Sequence, residues 1–281
     1  MPAHTLILEW LKTRLPANGL AWLQDKAAAL ASGVSEKTAF ASFSSCSRYS
    51  GKAPLALDAA ALQAARHAVP GWNPSDWTCD QAARILLLLS LPPGTASAKL
   101  MDQMYQTADV DEAVALQKAV AVLANPEGHL LRAREALRSN IKAVFDAMTL
   151  RNPYPALHFD DLAWNQMVVK TFFVDSPVRE IEGLDRRVNP ALSRILSDLA
   201  EERWAAGRVF NPQLWRCVGP RADDHGLSNL EKVLAQGAPA ERRAATLALA
   251  SCPDPRAATI LAAQPALASA VRDGSLTWEN L

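Results

Sequence analysis

The sequence lacks an excess of either charge and has few cysteines. Its 281 residues include 29 Lys and Arg against 29 Asp and Glu, so the formal net charge is zero. Because proteins that bind nucleic-acid phosphates carry a basic excess, this balance argues against a nucleic-acid partner. The cysteines form no CxxC pair, which indicates thiols in a reducing compartment and not a disulfide framework. They are Cys46, Cys79, Cys217 and Cys252.

Long apolar runs are missing as well. The most apolar stretch, residues 85–91, is closed by Pro92 and Pro93. It is much shorter than the roughly 20 residues that a membrane span needs. The first residues have no basic start and reach Glu9 before an apolar run develops, which is unlike a signal peptide. We therefore expect a cytoplasmic protein that does not span a membrane.

The standard motifs of catalysis and nucleotide binding are also absent. The chain contains no GxxxxGK[ST], no GxGxxG after a strand, no HExxH and no GxSxG. Asp223, Asp224 and His225 could supply metal ligands, but three adjacent side chains point in different directions and rarely chelate as a set. We interpret them as a solvated loop before a helix. No catalytic residue, cofactor or metal site is predicted.

Glycine is scarce in comparison with proline, since the chain has 12 Gly and 18 Pro. This balance suits many helices that begin at proline more than a sheet with tight turns. Most segments between these residues are rich in Ala and Leu at helical spacing, which predicts about a dozen helices and no convincing sheet. Residues 164–173 are ambiguous, because they suit a strand as well as a buried helix.

Several helix boundaries follow from local signals. Asp109 is an expected N-cap, with Glu112 as its capping-box partner. A longer helix is expected to open at Pro126 and to continue through Ile141 to Met148. In the second half, a capping residue precedes proline at three positions, which predicts helix starts there. These capping residues are Ser176, Asn189 and Asn211.

Two helices of the second half have further expected features. Asp160 and Asp161 are expected at the N-cap and first turn of the helix that holds Trp164, where negative charge is favoured. The helix from Pro190 is expected to reach Trp204 and to be closed by glycine at position 207. Its predicted buried stripe is Leu192, Ile195, Leu196 and Leu199.

These patterns predict an all-α fold of stacked antiparallel helix pairs, a HEAT-like or irregular α-superhelix. We expect a single domain over residues 1–281. Within it we distinguish an N-terminal helical layer (1–150), a core (151–220) and HEAT-like helix pairs (226–281). An irregular helical bundle is the alternative, because no strict repeat period recurs along the whole chain.

The segment between residues 152 and 220 concentrates Trp, Arg and amide side chains within apolar helices. Asn165 and Gln166 directly follow Trp164, so at least one amide is expected to point inward and to need a hydrogen-bond partner. Five strings carry this character. They are Asn152-Pro-Tyr-Pro155, Trp164-Asn-Gln-Met-Val-Val-Lys170, Gly183-Leu-Asp-Arg-Arg-Val-Asn-Pro190, Glu201-Glu-Arg-Trp-Ala-Ala-Gly-Arg208 and Leu214-Trp-Arg-Cys-Val-Gly-Pro220.

Together these strings resemble the EboA family, named after the bacterial Ebo gene cluster. The resemblance covers residues 152–220 most strongly. It implies a role in metabolite traffic, beside a membrane prenyltransferase-like protein and several soluble enzyme homologues of the same cluster. It also implies movement of a precursor from the cytoplasm toward the periplasm, and it brings no catalytic residues with it.

The strings suggest a candidate ligand site. If the helices around residues 204 and 215 are neighbours, their two tryptophans meet with arginines around them. An aromatic wall beside guanidinium groups suits a planar, anionic or phenolic metabolite. The alternative is that these tryptophans are core and the arginines cap helices. The candidate ligand residues are Trp164, Asn165, Lys170, Arg203, Trp204, Arg208, Trp215 and Arg216.

Asp185 and Arg187 lie in the turn before the helix at residue 190. We expect them to be structural, with Asp185 accepting backbone N–H groups and Arg187 reaching a neighbouring helix.

Three functions remain open at this point. The first is a non-catalytic scaffold or carrier that binds a small aromatic or isoprenoid-like metabolite, or docks proteins of the same gene cluster, on a helical face. The second is an enzyme with an all-helical active site, for which the candidate residues are Lys170, Asp185, Arg187 and Arg203. The third is a purely structural adaptor, in which those charges form a salt-bridge network between helices.

Overall fold

The computed structural model describes the backbone of residues 1–281 and every side chain except those of residues 95 and 96. In this description the chain forms seventeen α-helices and four short 3-10 helices. Its β structure is limited to an isolated antiparallel bridge between Pro54 and Thr78. The prediction of an all-α fold is confirmed, and the ambiguous residues 164–173 are helical.

The chain folds into two compact units, Met1–Phe159 (unit 1) and Asp160–Leu281 (unit 2). The boundary between the units lies just after the last helix of unit 1. The single domain expected over residues 1–281 stays a prediction. The 3-10 helix of unit 1 is Pro126–His129. Its α-helices are α1 (Ala3–Lys12), α2 (Ala17–Ala31), α3 (Glu36–Ser50), α4 (Ala59–Ala68), α5 (Cys79–Leu89), α6 (Thr95–Thr107), α7 (Val110–Ala119), α8 (Leu130–Arg138), α9 (Lys142–Thr149) and α10 (Tyr154–His158).

Unit 2 contains seven α-helices. They are α11 (Asp161–Phe173), α12 (Pro190–Ala205), α13 (Leu214–Val218), α14 (Asp224–Gln236), α15 (Pro239–Ala250), α16 (Pro255–Ala262) and α17 (Pro265–Arg272). Its 3-10 helices are Val178–Glu180, Asp185–Arg187 and Gly219–Arg221. Among the residues that the structure describes, no helix has both the length and the apolar character to cross a membrane.

The helix starts that were predicted from local capping signals are confirmed in three cases. The Asp109 carboxylate accepts the backbone N–H of Glu112 at 2.8 Å, and the Glu112 carboxylate accepts the backbone N–H of Asp109 at 3.1 Å. Asp160 caps α11 by accepting the N–H of residue 163 at 2.8 Å. Asn189 caps α12, with proline at the first helical position. Each cap satisfies amides that the first helical turn leaves without partners.

The prediction of one long helix from Pro126 is wrong, because this segment is interrupted twice. Pro126–His129 is a 3-10 helix, and a second break separates α8 from α9. At that break Ser139 is extended, and its hydroxyl accepts the backbone N–H of Ile141 at 3.1 Å. This local hydrogen bond replaces a helical one. Ile141 is consequently 47% exposed and does not continue the buried stripe.

Three further details of the second half differ from the expectation. Ser176 does not open an α-helix, because Pro177 is followed by a 3-10 helix. Asn211 forms a turn in which its side chain accepts the N–H of Gln213 at 3.0 Å, so α13 begins two residues later than expected. Ile195 is 42% exposed, whereas the other three residues of the predicted stripe are buried. The glycine at 207 has a φ of 62° and follows α12, as predicted.

The core of unit 1 is organised around tryptophans. Trp72 contacts Trp10 at 5.5 Å and Trp77 at 5.6 Å between ring centroids, in both cases with tilted rings. All three are buried. Such tilted contacts are favourable beyond the apolar area that they bury. These tryptophans therefore hold α1 and the turn before α5 together.

An ion pair lies inside the same unit. Arg84 donates to the Asp80 carboxylate at 2.5 Å across one turn of α5, and both side chains are at most 3% exposed. Thr78 donates a second hydrogen bond to Asp80 at 2.6 Å. Loss of either ionic partner would leave a buried charge uncompensated, which is strongly destabilising.

In unit 2, α15 is the central helix of the C-terminal part. It packs against α14, α16 and α17, and against the segment that starts at Gly219. A Cβ added to Gly219 would lie 2.3 Å from the carbonyl oxygen of Ala248, so only glycine permits this approach of two backbones. The HEAT-like character of residues 226–281 stays a prediction.

Candidate functional site

The structure brings Trp204 and Trp215 together in unit 2. Their ring centroids are 5.8 Å apart with nearly parallel planes, and Phe210 meets both rings edge-on at 5.8 and 5.9 Å. We call Trp204, Phe210 and Trp215 the aromatic cluster. Trp215 is fully buried and Trp204 half-buried. The Lys232 ammonium lies 4.6 Å from the centroid of Trp204, so a cation covers the outer part of this cluster.

Two of the three arginines that were expected around these tryptophans have other partners. The Arg216 guanidinium donates twice to Asp185, at 2.6 Å each, and lies 5.9 Å from the ring centroid of Trp278. Arg203 lies over Phe173 at 5.5 Å. Arg208 is exposed. Asp185 therefore accepts from a guanidinium, and its expected role as an acceptor of backbone N–H groups stays a prediction.

Trp164 is buried beneath a second cation. The Arg187 guanidinium lies 4.7 Å from the Trp164 ring centroid and donates to Asp161 at 2.9 Å, which ties the 3-10 helix Asp185–Arg187 to the start of α11. Arg187 thus reaches a neighbouring helix, as the sequence suggested. Because this cation covers the ring and Trp164 has no exposed surface, the Trp164 side chain is packed inside the protein.

One of the two amides after Trp164 does point inward. Asn165 and Asn189 exchange hydrogen bonds through their side chains at 3.1 and 2.8 Å. Asn165 is buried, whereas Gln166 is exposed. The pair joins α11 to the N-cap of α12 and satisfies the buried amide of Asn165. Lys170, on the same helix, is half-buried, and burial lowers its pKa.

A cleft of 430 Å³ in unit 2 lies beside the aromatic cluster without including its tryptophans. Phe210 and Arg203 line it, together with Phe173 and Leu214. Of the eight candidate ligand residues, all of which the structure describes, Arg203 is the one that lines this cleft. The ligand-binding role of all eight residues stays a prediction.

A pocket of 690 Å³ lies in unit 1, between the end of α5, one face of α6 and the segment that joins α7 to α8. We call it the unit 1 pocket. It has the volume of sites that hold small molecules, about 300–1,000 Å³. Most of its wall is apolar. The apolar residues are Leu88, Leu89, Leu91, Pro92, Pro93, Ala98, Met101, Leu123 and Ala124.

Local sequence signals explain why a pocket forms there. Pro92 and Pro93 stop the chain from continuing α5, and Gly94 directly precedes α6 with a φ of 139° that disfavours other residues. On the far side, Asn125 adopts a left-handed conformation with a φ of 55°, directly before the 3-10 helix. The two turns hold α6 apart from the ends of α5 and α7, so the space between these elements stays unfilled.

Polar contacts fix the helices around the pocket. The Tyr105 hydroxyl of α6 donates to the carbonyl of Leu116 on α7 at 3.1 Å. Arg132 of α8 donates to Asp102 of α6 at 2.6 Å through Nε. These two bonds hold α6 against both of its neighbours. Burial also raises the pKa of Tyr105, which keeps its hydroxyl protonated.

His129 lies at the back of the unit 1 pocket and is 7% exposed. Its Nε2 is 3.1 Å from the carbonyl oxygen of Ala124. Since a carbonyl oxygen only accepts, Nε2 carries the proton in this contact. Burial lowers the pKa of His129, which favours the neutral ring. In the neutral ring Nδ1 is then an acceptor.

The sequence pattern does not indicate this pocket. Its wall consists of residues that are common in helical proteins, and its ion pair joins Asp102 to a partner 30 positions later, Arg132. The available signal was the rigid turn at Pro92 and Pro93 between two helices. That turn indicates where a helix ends, but it does not reveal how far apart the neighbouring helices pack.

The cluster at residues 223–225 has structural partners. Asp223 caps α14, and Asp224 pairs with Arg256 at 2.6 Å. His225 Nε2 lies 3.2 Å from the Asp198 carboxylate. Among the described side chains, no group of three or more His, Cys, Asp and Glu is placed to hold a metal ion.

Comparison with known proteins decides the family. The family model described as metabolite traffic protein EboA matches residues 3–219, more than three quarters of the chain. The chain belongs to the EboA family. Neither a curated protein nor a solved structure matches it. The EboA match includes nearly all of unit 1, with its pocket, and extends through α13 in unit 2.

Proposed function

We propose that this EboA-family protein is a non-catalytic carrier, which holds a small and largely apolar metabolite in the unit 1 pocket during metabolite traffic. The observation that carries the proposal is the pocket itself, a half-open space of 690 Å³ with a mainly aliphatic wall. A few polar groups, including Asp102 and His129, break that wall. This combination is typical of small-molecule sites, where apolar contact gives affinity and a few polar groups give orientation.

The expected affinity suits a carrier that must release its cargo. A metabolite that buries about 250 Å² of apolar surface gains about 6 kcal/mol. The loss of translational and rotational freedom reduces this gain. Binding in the range from tens of micromolar to millimolar, about −6 to −4 kcal/mol, is therefore expected. Such binding is reversible on the time scale of transfer between proteins.

The proposed carrier would exchange its cargo with other proteins of the same gene cluster, among them the membrane prenyltransferase-like protein. Support for these partners comes from the family resemblance. The carrier would also act as a scaffold, because a protein that receives and delivers a metabolite must contact both the protein that supplies it and the protein that accepts it.

The carrier proposal is tested with N-phenyl-1-naphthylamine, a neutral dye that fluoresces more strongly in apolar surroundings. The informative variant is Ala98→Trp, because Ala98 is exposed on α6 and lines the pocket, so an indole there fills the space. Ala28→Trp makes the same change on an exposed position of α2 outside the lining. Circular dichroism verifies that both variants are folded.

We expect saturable dye binding to the unchanged protein and to Ala28→Trp. Ala98→Trp should bind on the order of tenfold more weakly, a loss of about 1.4 kcal/mol. Equal binding by the two tryptophan variants would contradict the unit 1 pocket as the site. Absence of saturable binding to the unchanged protein would contradict the carrier proposal.

A further inference from the structure

Three polar side chains of the unit 1 pocket donate their hydrogens within the protein, whereas the exposed amide of Asn125 at its rim is a donor as well as an acceptor. Tyr105 donates to the Leu116 carbonyl, and the Ser97 hydroxyl donates to the carbonyl of Pro92 at 2.6 Å. His129 donates through Nε2, as described above. What these groups retain for a ligand is acceptor capacity: the lone pairs of two hydroxyl oxygens and, in the neutral imidazole, Nδ1.

The charged side chains at the pocket wall also favour a ligand that donates hydrogen bonds. Arg132 donates to Asp102 at 2.6 Å and to Glu135, also at 2.6 Å, so two carboxylates surround one guanidinium. The side chain of Arg132 is 18% exposed, whereas those of Asp102 and Glu135 are 47% and 46% exposed. Of the two charged side chains that line the pocket, the Asp102 carboxylate is therefore more accessible to a ligand than the Arg132 guanidinium. The two carboxylates and one guanidinium together leave a net negative charge.

From this arrangement we infer that the unit 1 pocket selects ligands whose apolar body carries a hydrogen-bond-donating head, a hydroxyl or an amine, and discriminates against anionic heads. The inference rests on the proposed carrier function, and it names the chemical class of the cargo. Asp102 accepts from the head, since it is the carboxylate that lines the pocket. A carboxylate or phosphate head would meet like charge at Asp102 and find the donors of Ser97, Tyr105 and His129 engaged.

Besides the Asn125 amide, the start of a helix also acts in the opposite direction. Helix α6 begins at the pocket wall, and a helix start carries roughly half a positive charge. That partial charge is smaller than the full negative charge left by Asp102, Glu135 and Arg132 together. The sum still favours a neutral or cationic head, and the preference should decrease when a carboxylate is removed.

The test uses four probes with the same apolar body: butylbenzene, 4-butylphenol, 4-butylbenzylamine and 4-butylbenzoate. Each competes with the neutral naphthylamine dye at pH 7 and low ionic strength, where charge effects are least screened. The proteins are the unchanged chain, Asp102→Asn, Glu135→Gln and the control Asp25→Asn. Asp25 is exposed on α2 and does not line the pocket.

In the unchanged protein and in Asp25→Asn, we expect the phenol and the amine to compete at least tenfold more strongly than the benzoate. Asp102→Asn should reduce that ratio by lowering affinity for the amine and raising affinity for the benzoate. Glu135→Gln should raise affinity for the benzoate while the pocket lining is unchanged, so the inference can be tested even if Asp102→Asn fails to fold.

Two results overturn the inference without affecting the carrier proposal. One is tighter binding of the benzoate than of the phenol and amine, while dye binding still depends on position 98. The other is a failure of the phenol and amine to displace the pocket-bound dye. Failure of the dye itself to bind the unchanged protein would instead reject the carrier proposal.

Discussion

The aromatic cluster of unit 2 and the unit 1 pocket differ in what surrounds their side chains. In the cluster, Trp215 is fully buried, and Trp204 is covered by Phe210 and Lys232. The unit 1 pocket has 690 Å³ of open space and a wall made mostly of Leu, Pro, Ala and Met. Rare, large side chains thus mark a packed region here, while common aliphatic side chains form the cavity.

This contrast shows which sequence signal corresponds to which role. Tryptophan and arginine are conspicuous in a sequence, but their size and charge also make them effective in packing and ion pairs. A binding cavity requires unfilled space, and space depends on how far apart helices are held. In unit 1 that distance follows from two turns, at Pro92–Gly94 and at Asn125, more than from any one side chain that a ligand would touch.

The largest expected effect is that of Trp215→Ala. Removing a fully buried indole from contact with Trp204 and Phe210 leaves a cavity and should destabilise the protein by about 3–5 kcal/mol. Urea unfolding, followed by circular dichroism, measures the change. Trp204→Ala, at a half-buried position, should cost less. A near-neutral Trp215→Ala that abolishes dye binding would show instead that the aromatic cluster is a ligand wall.

A smaller loss is expected from Asn165→Ala, which removes the two hydrogen bonds that the buried Asn165 exchanges with Asn189. At about 0.5–1.5 kcal/mol for each bond, the loss is about 1–3 kcal/mol. Gln166→Ala is the matched control on the adjacent, exposed position of α11 and should stay within about 0.5 kcal/mol of the unchanged protein. Similar unfolding free energies for the two variants would contradict the structural role of the asparagine pair.

Asp185→Ala should have a weaker effect still. Its carboxylate pairs with Arg216 with good geometry, and although the Arg216 side chain is 13% exposed, that of Asp185 is 60% exposed, so water screens the pair from the Asp185 side. Pairs of this kind contribute up to about 1 kcal/mol. The loss should decrease in high salt, and thermal unfolding at two salt concentrations measures this. Glu202→Ala, at an exposed position of α12, is the control. A salt-independent loss of several kcal/mol would instead indicate a buried role for Asp185.

The smallest expected effect is a pH dependence that His129 contributes to unit 1. Burial lowers its pKa in the folded protein below 6.5, the ordinary value that applies to the unfolded chain. The unfolded chain therefore binds more protons as the pH falls below about 6.5, and stability decreases on acidification. His129→Gln should make the decrease between pH 7 and pH 5 less steep.

Urea unfolding at several pH values measures that slope. His67→Gln, at an exposed position of α4, is the control and should keep the slope of the unchanged protein. His4 also has a pKa lowered by burial, and its contribution persists in both variants. A slope in His129→Gln equal to that of the unchanged protein would contradict this explanation.

Features that depend on nearby residues were predictable from the sequence. The caps at Asp109, Asp160 and Asn189 involve partners within three positions, so the residue types alone indicate them. The approach of Trp204 and Trp215 was also expected, because a short connection joins their helices.

Features that depend on competition or on distant partners were not predictable. The break before Ile141 arises because a serine side chain competes with the helical hydrogen bond, and such competition has no clear periodic signal. Arg216 pairs with Asp185, 31 positions away, although the sequence suggested a place beside the tryptophans. The unit 1 pocket belongs to the same class, since its walls come from helices whose spacing the sequence pattern does not reveal.

A titration with 4-butylphenol, using protein labelled with 13C at its methionine methyl groups, decides whether unit 1 holds the binding site. Two of the five methionines report on the two regions: Met101 lines the unit 1 pocket, and Met167 is buried on α11, one turn after Trp164. We expect a saturable shift of the Met101 resonance, assigned with Met101→Leu, and an unchanged Met167 resonance. A saturable shift of Met167 with an unchanged Met101 would contradict a binding site in unit 1.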